Sequence, residues 1–115
     1  MTRRTSAAGA VLLAVLAFCS FRHQAEAAAA PRKPATHTVT IDSARFSPSE
    51  LTISAGDTVI WVNKDILAHT ATAKDGRFDS NVIEPGKSWR VVVKRKGAVP
   101  YTCAFHPMNA TLTVK

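Results

Sequence analysis

Three side chains that bind soft metal ions lie within six residues near the C-terminal end of the chain. The segment 101–108, Tyr-Thr-Cys-Ala-Phe-His-Pro-Met, holds the thiol of Cys103, the imidazole of His106 and the thioether of Met108. Thiolate and imidazole together suit copper or zinc, and a thioether favours copper. A second histidine, His69, lies in a separate turn-like segment. We expect the two segments to meet over one metal ion, with the rest of the chain serving mainly as scaffold.

The first 27 residues have the features of a secretory signal peptide. Arg3 and Arg4 precede an apolar run over residues 7–18, and Ala25-Glu26-Ala27 offers a cleavage site. The run is shorter than the roughly 20 apolar residues that span a bilayer. We therefore predict a signal peptide at 1–27, a linker at 28–36, a domain at 37–115 and export to the periplasm. A mature N-terminal helix and a lipid anchor at Cys19 are the alternatives.

Cysteine usage narrows the role of the thiol in the segment 101–108. Once residues 1–27 are removed, Cys103 is the only cysteine left, so an internal disulfide is impossible. A lone thiol in an oxidising compartment has to be buried, bound to a metal or catalytic. A free cysteine is most often buried in the core. Taken without its neighbours, Cys103 could therefore be either a core residue or a metal ligand.

The charge of the chain is positive both in the full sequence and in its predicted mature form. The full sequence has a formal net charge of +7, and residues 28–115 keep twelve Lys and Arg against seven Asp and Glu, about +5. No stretch of the mature part is long and apolar enough to cross a membrane. Positive charge favours acidic surfaces on partner proteins, and Lys94-Arg95-Lys96 is its densest run. The dispersed charge and scarce aromatics argue against nucleic-acid binding, and a monomer is the default.

Residues 36–115 alternate polar and apolar side chains with the period of β-strands. Turn sequences separate the runs at intervals of 8–12 residues, which favours an antiparallel sandwich or barrel. We predict about seven strands and no helix, with strands at 36–42, 51–53, 58–62, 66–73, 88–93, 99–102 and 110–114. The expected core residues are Val59, Trp61, Phe78, Trp89, Val91 and Leu112.

The order and spacing of several motifs resemble the cupredoxins, especially those of the amicyanin, plastocyanin and pseudoazurin type. The likeness runs from about residue 37 to 115 and rests on Phe46-Ser47-Pro48, Ala55-Gly56-Asp57, residues 59–73, residues 75–80, Pro85-Gly86 and the segment 101–108. It implies a Greek-key β-sandwich of about seven or eight strands with one mononuclear type 1 copper ion. In that site His69, Cys103 and His106 would be the main ligands and Met108 the weak axial ligand.

The sequence departs from the usual cupredoxin pattern at three positions. Met108 stands two residues after His106, one fewer than in the shortest familiar spacing, so the axial ligand is the position most affected. Thr70 replaces the asparagine that often follows the early histidine, and Ala68 replaces the proline that often precedes it. The three main ligands are unaffected by these differences.

The resemblance implies a non-enzymatic one-electron carrier that exchanges electrons with redox partner proteins through the exposed edge of His106. A copper carrier or resistance protein that holds the ion without redox exchange is the main alternative, kept open by the spacing of Met108. An enzyme with a nucleophilic pair of Cys103 and a histidine is a third hypothesis. Neither a glycine-rich oxyanion turn nor an orienting carboxylate stands beside Cys103 in the sequence, which argues against it.

Overall fold

The computed structural model describes Thr2 and residues 32–115, and Arg32–Lys115 form one compact unit. The signal peptide predicted at 1–27, the alternative anchor at Cys19 and the first part of the linker therefore lie outside the described residues, Thr2 excepted. Residues 32–115 contain no helix and eight strands: β1 (Thr36–Asp42), β2 (Arg45–Ser47), β3 (Glu50–Ile53), β4 (Asp57–Asn63), β5 (Thr72–Ala73), β6 (Ser88–Val93), β7 (Gly97–Thr102) and β8 (Asn109–Val114). None of these residues belongs to a helix able to cross a bilayer.

The strands form two four-stranded sheets that pack face to face. One sheet has the order β2-β1-β4-β6 and the other β3-β8-β7-β5. Along β4, buried and half-buried side chains alternate, because the strand lies inside its sheet and turns every second residue toward the partner sheet. Val59 and Trp61 of β4 and Leu112 of β8 are fully buried between the sheets. The predicted all-β Greek-key sandwich is confirmed.

Two strand pairs are parallel, whereas the turn spacing predicted an antiparallel arrangement. β1 pairs with β4 in parallel, and β3 pairs with β8 in parallel. After the β1–β2 hairpin the chain crosses to the other sheet as β3 and then returns as β4 beside β1. A crossover of this kind brings the chain back in its original direction. Alternating hydrophobicity shows which residues face the core but not the direction of a neighbouring strand.

The predicted core is confirmed for four of its six residues. Val59, Trp61, Phe78 and Leu112 are buried. Trp89 and Val91 are only half-buried, although both pack against the core. They lie on β6, the edge strand of its sheet, where a side chain has a strand neighbour on one side only.

The strand predicted over 66–73 is wrong for most of its length. Only Thr72–Ala73 is strand, and His69 forms an isolated bridge with Ile83. Asn63 and Asp65 explain the difference, because their side chains accept hydrogen bonds from backbone N–H groups at the start of the segment. Such local bonds compete with strand pairing. Conversely, β2 was not predicted as a strand, since three residues are too few to show a period of two.

The strand register defines two ends of the sandwich, which we call the ligand end and the far end. At the ligand end β4 finishes at Asn63, β7 finishes at Thr102 and β8 begins at Asn109. At the far end β4 begins at Asp57, which pairs with Val93 at the end of β6. The loops that carry the predicted metal ligands leave from the ligand end.

Candidate metal centre

Two loops at the ligand end bring the predicted ligands together. Cys103 follows the last residue of β7, and the loop of residues 103–108 carries His106 and Met108 before β8 begins. His69 belongs to the loop between β4 and β5. Because β7 pairs with both β5 and β8, the two loops leave neighbouring strands at the same end. The prediction that these segments meet is confirmed by the geometry.

Three ligand atoms converge on one point. Nδ1 of His69 and Nδ1 of His106 each lie 3.7 Å from Sγ of Cys103. The three atoms all lie within 4.8 Å of one another, so a single ion can contact all three. The two imidazole ring centroids are 4.8 Å apart. His69 and Cys103 are buried, whereas His106 is half-exposed.

The environment of Cys103 favours the thiolate. Burial by itself would raise the pKa of this thiol. The N–H groups of Phe105 and Thr70 point at Sγ from 3.5 and 3.4 Å, and with the His106 and His69 side chains they lower the pKa to about 6. A thiolate is the form that binds a metal.

Thr70 connects the two ligand loops. Its hydroxyl oxygen accepts a hydrogen bond of 2.8 Å from the N–H of Ala104, next to Cys103, while its own N–H faces Sγ. Thr70 itself is buried, and its bond to Sγ is buried with it. The threonine that replaces the usual asparagine therefore still joins one loop to the other.

Asp65 fixes the orientation of His69, a role that the sequence motifs did not predict. Oδ2 of Asp65 accepts a hydrogen bond of 2.8 Å from Nε2 of His69 and another of 3.0 Å from the N–H of Ala44. A proton on Nε2 leaves Nδ1 of His69 unprotonated and directed toward Cys103. Hydrogen bonding from Ala44 and then His69 lowers the pKa of Asp65 to about 2. The spacing of four residues between Asp65 and His69 was the available signal.

Asn63 is the second residue that sequence reasoning missed. It is fully buried at the end of β4, and its Nδ2 donates to the carbonyl oxygens of Leu67 at 2.8 Å and Ile83 at 2.9 Å. His69 and Ile83 also exchange two backbone hydrogen bonds. These contacts hold the loop that carries His69 from both sides. An asparagine at the end of an apolar strand was the sequence feature that could have identified it.

Met108 lies at the end of a tight turn that absorbs its short spacing from His106. Its N–H donates to the His106 carbonyl at 2.8 Å, and its own carbonyl accepts the Thr102 hydroxyl at 2.6 Å. The side chain is buried, with 3% exposed, and joins the core cluster that also includes Cys103. The thioether is therefore enclosed beside the ligand loops rather than facing solvent.

The surface around the ligand loops is apolar. Phe105 is 55% exposed, beside His106, and in the other loop Ile66 and Leu67 are 88% and 49% exposed. Grouped exposed apolar side chains on a small protein mark a contact surface more often than isolated ones. The half-exposed imidazole of His106 is the one ligand that reaches this surface.

An eight-stranded sandwich with an enclosed thiol and two imidazoles at one end defines the class of small blue-copper-type domains. Consistently, residues 9–114 match the family model of the cupredoxin-like domain. The chain belongs to the cupredoxin-like family. Members of this family related to the chain bind one copper ion, and the His69, Cys103 and His106 cluster is where such an ion fits this structure.

Two related sequences agree with the predicted likeness. An amicyanin from Paracoccus versutus is 29% identical over 74 residues, which cover 60% of this chain and 56% of the amicyanin. The chain thus spans little more than half the length of that relative. A plastocyanin from Scenedesmus fuscus is 31% identical over 84 residues, covering 61% of this chain and 86% of the plastocyanin.

Solved structures show the same fold. A purple cupredoxin from Nitrosopumilus maritimus is 26% identical with a TM-score of 0.63, over 69% of this chain and 99% of that protein. A copper-containing nitrite reductase from Thermus scotoductus SA-01 is also 26% identical, with a TM-score of 0.66. The match covers 73% of this chain but only 23% of the enzyme, so the likeness concerns one part of it.

Proposed function

We propose that His69, Cys103 and His106 bind one copper ion and that the protein carries single electrons between redox partner proteins. The observation that carries this proposal is the convergence of Nδ1, Sγ and Nδ1 within 4.8 Å. Two imidazoles and a thiolate are the trigonal set of a type 1 site, and a long axial thioether completes it. Met108, buried beside the loops, is the proposed axial ligand.

Copper bound by this donor set supplies a one-electron couple, Cu(I)/Cu(II). The protein's part is to hold the ligands in one arrangement for both oxidation states. Asp65 fixes the His69 ring, Thr70 ties the two loops together, and N–H groups surround Sγ of Cys103. Ligands restrained in this way rearrange little when the charge changes, which keeps the barrier to electron transfer low.

The electron enters and leaves through His106, whose imidazole reaches the apolar surface formed by Phe105 and its neighbours. Partner proteins with a complementary apolar surface approach the site there. An enzymatic role for the thiol is disfavoured, because Cys103 is only 5% exposed and N–H groups and imidazoles occupy its surroundings. We propose that the protein is not an enzyme.

The proposed working form is an exported monomer of residues 28–115, in which the linker at 28–36 precedes the domain at 37–115. This rests on the sequence features of residues 1–27 and on the folded unit that follows. Arg32 and Ala35, within the predicted linker, bond to Asp57, which supports an ordered end to that linker.

Visible spectroscopy during copper titration tests the proposal. One equivalent of Cu(II) added to the purified protein should give an intense charge-transfer band from the thiolate, which ascorbate bleaches and ferricyanide restores. Cys103→Ser should abolish the band. His37→Gln, a histidine change at the far end where His37 contacts Asp57, is the matched control and should leave it intact.

Other spectra would point elsewhere. If copper binds but gives no reversible band, the electron-carrier proposal is wrong and the copper-carrier function is favoured. If the band is present but Met108→Leu leaves both the spectrum and the reduction potential unchanged, Met108 is not a ligand, while the other three remain.

A further inference from the structure

A row of side-chain oxygens runs from the protein surface to the loop that carries Cys103. Oδ1 of Asp79 lies 3.2 Å from Oγ1 of Thr72, and Oγ1 of Thr72 lies 2.9 Å from Oγ1 of Thr70. Oγ1 of Thr70 accepts a hydrogen bond of 2.8 Å from the N–H of Ala104. Asp79 is exposed, Thr72 is half-buried and Thr70 is buried. We call these three side chains the relay, and they connect solvent to the residue that follows the thiol.

Backbone pairing holds the members of the relay in place. Thr72 is the first residue of β5, and it forms an isolated bridge with Asp79. The N–H of Ser80 donates to the carbonyl of Ala71 at 3.0 Å, so the segments on either side of that bridge run side by side. On its other side Thr72 pairs with Thr102 of β7, the residue before the metal-binding loop. The fold therefore sets the spacing of the relay.

The carboxylate at the surface determines the direction of each hydrogen bond in the relay. An ionised carboxylate only accepts, whereas a hydroxyl group has one proton and two lone pairs. Thr72 therefore donates its proton to Asp79. The oxygen of Thr72 then accepts the proton of Thr70, which leaves the lone pairs of Thr70 for the N–H of Ala104. Each bond orients the next, and hydrogen bonds in such a series polarise one another.

The inner end of the relay acts on two N–H groups that face Sγ of Cys103. The N–H groups of Thr70 and Phe105 lie 3.4 and 3.5 Å from Sγ. The relay ends on Thr70 itself and on Ala104, the neighbour of Phe105, so it keeps both groups in position. Hydrogen bonding around a ligating sulfur tunes the reduction potential of copper. The positive ends of two N–H dipoles favour the less positive ion, Cu(I).

We propose that Asp79 is a positioning residue of the metal centre and acts through Thr72 and Thr70 on the loop after Cys103. An exposed carboxylate thereby helps to set the reduction potential of an enclosed site. The inference rests on the proposed copper function, because the potential belongs to copper. The relay itself belongs to the protein and is open to measurement without the metal.

Amide hydrogen exchange of the metal-free protein, followed by NMR, tests the relay. Thr72→Val removes the hydroxyl and keeps the β-branched shape, so the N–H of Ala104 should exchange about two- to tenfold faster. Thr72→Ser keeps the hydroxyl and should exchange like the wild type. Asp79→Asn can bond to Thr72 in either direction and should accelerate the same amide less. Thr38→Val, at an exposed site in the other sheet, is the matched control and should leave that amide unchanged.

Cyclic voltammetry of the copper-loaded proteins tests the effect on the site. Thr72→Val, which changes no charge, should lower the reduction potential, and Thr72→Ser should restore it. Asp79→Asn should also lower the potential, although the loss of a negative charge by itself would favour Cu(I) and raise it. The two explanations therefore predict opposite signs. Asp75→Asn removes a carboxylate from the same turn that bonds to Arg77 instead of Thr72, and it should not lower the potential.

The results decide the proposal as follows from these signs. Faster exchange of the Ala104 amide and a lower potential in both variants support it. Unchanged Ala104 exchange in Thr72→Val overturns it, as does a raised potential in Asp79→Asn. Equal acceleration at the core amide of Leu112 would show general destabilisation and would overturn it too. Failure of the proposed function stays distinct, because it would appear as the absence of a reversible copper couple in the wild type.

Discussion

Replacing Asp65 with asparagine should raise the reduction potential of the copper-loaded protein. Oδ2 of Asp65 accepts hydrogen bonds from Nε2 of His69 and from the N–H of Ala44, and Oδ1 accepts from Ile66. Asparagine keeps one of these oxygens and the side-chain volume, but it removes the negative charge behind the His69 ring. The charge stabilises the more positive oxidation state, Cu(II), more than Cu(I). Its loss therefore favours Cu(I).

The magnitude follows from the second coordination sphere. Removing a hydrogen-bond partner of a ligating histidine typically lowers metal affinity about 10–100-fold. If that loss falls on Cu(II) alone, the potential rises by roughly 60–120 mV, because a tenfold change in a one-electron equilibrium is about 59 mV. Cyclic voltammetry of both proteins at the same ionic strength measures this shift. Asp42→Asn removes an exposed carboxylate at the ligand end of β1 that does not bond to His69, and it should shift the potential much less.

A measurement without copper checks the cause. In the metal-free wild type, ¹⁵N NMR of the histidine side chains should find the His69 proton on Nε2, and in the Asp65 variant that preference should weaken. An unchanged or lowered potential in Asp65→Asn would refute the reasoning. A rise matched by Asp42→Asn would also refute it, because general charge rather than the bond to His69 would then be responsible.

Three further results are expected from the rest of the molecule. Leu112→Ala, at a fully buried site, should lower the free energy of unfolding by about 2–5 kcal/mol in urea denaturation. Val92→Ala, at a half-exposed site, should change it by less than about 0.5 kcal/mol. Equal effects of the two substitutions would contradict the assigned core. Thr70→Val removes the acceptor for the Ala104 N–H and should lower the free energy of unfolding by about 0.5–1.5 kcal/mol. Thr70→Ser should restore most of it, and the visible band serves as a second readout. Contacts with His37, Arg32 and backbone N–H groups hold the pKa of Asp57 well below its usual range, so its stabilisation is present above about pH 4 and is lost as the pH falls. Asp57→Asn should accordingly lower the melting temperature at pH 7, and its difference from the wild type should shrink as the pH falls from about 4 to 2. A difference that stays constant over this range would contradict the reasoning.

The fold was predictable where the sequence shows periodicity over several residues. The alternation in residues 36–42 and 58–62 indicated β1 and β4, and the turn spacing indicated a sandwich. The parallel pairing of β1 with β4 was not predictable, because hydrophobic alternation is the same for a strand that runs in either direction. The segment 66–73 was misjudged, since the side chains of Asn63 and Asp65 replace the backbone pairing that its β-branched and apolar residues suggested.

The sequence by itself determined the kinds of ligand atom that the segments around residues 69 and 101–108 can offer: a thiol, two imidazoles and a thioether, spaced in a pattern that resembles the cupredoxins. Only the tertiary structure decided how those atoms meet and what surrounds them. Residues 69 and 103 are 34 apart in sequence, and their contact exists because β5, β7 and β8 are neighbours in one sheet. Likewise, the strand register gathers six basic residues from distant parts of the chain at the end opposite the metal site: Arg32, Lys33, Lys94, Arg95, Lys96 and Lys115. Hydrogen-bond pairing between distant strands sets both arrangements, and that pairing is a property of the folded sheets rather than of any local segment.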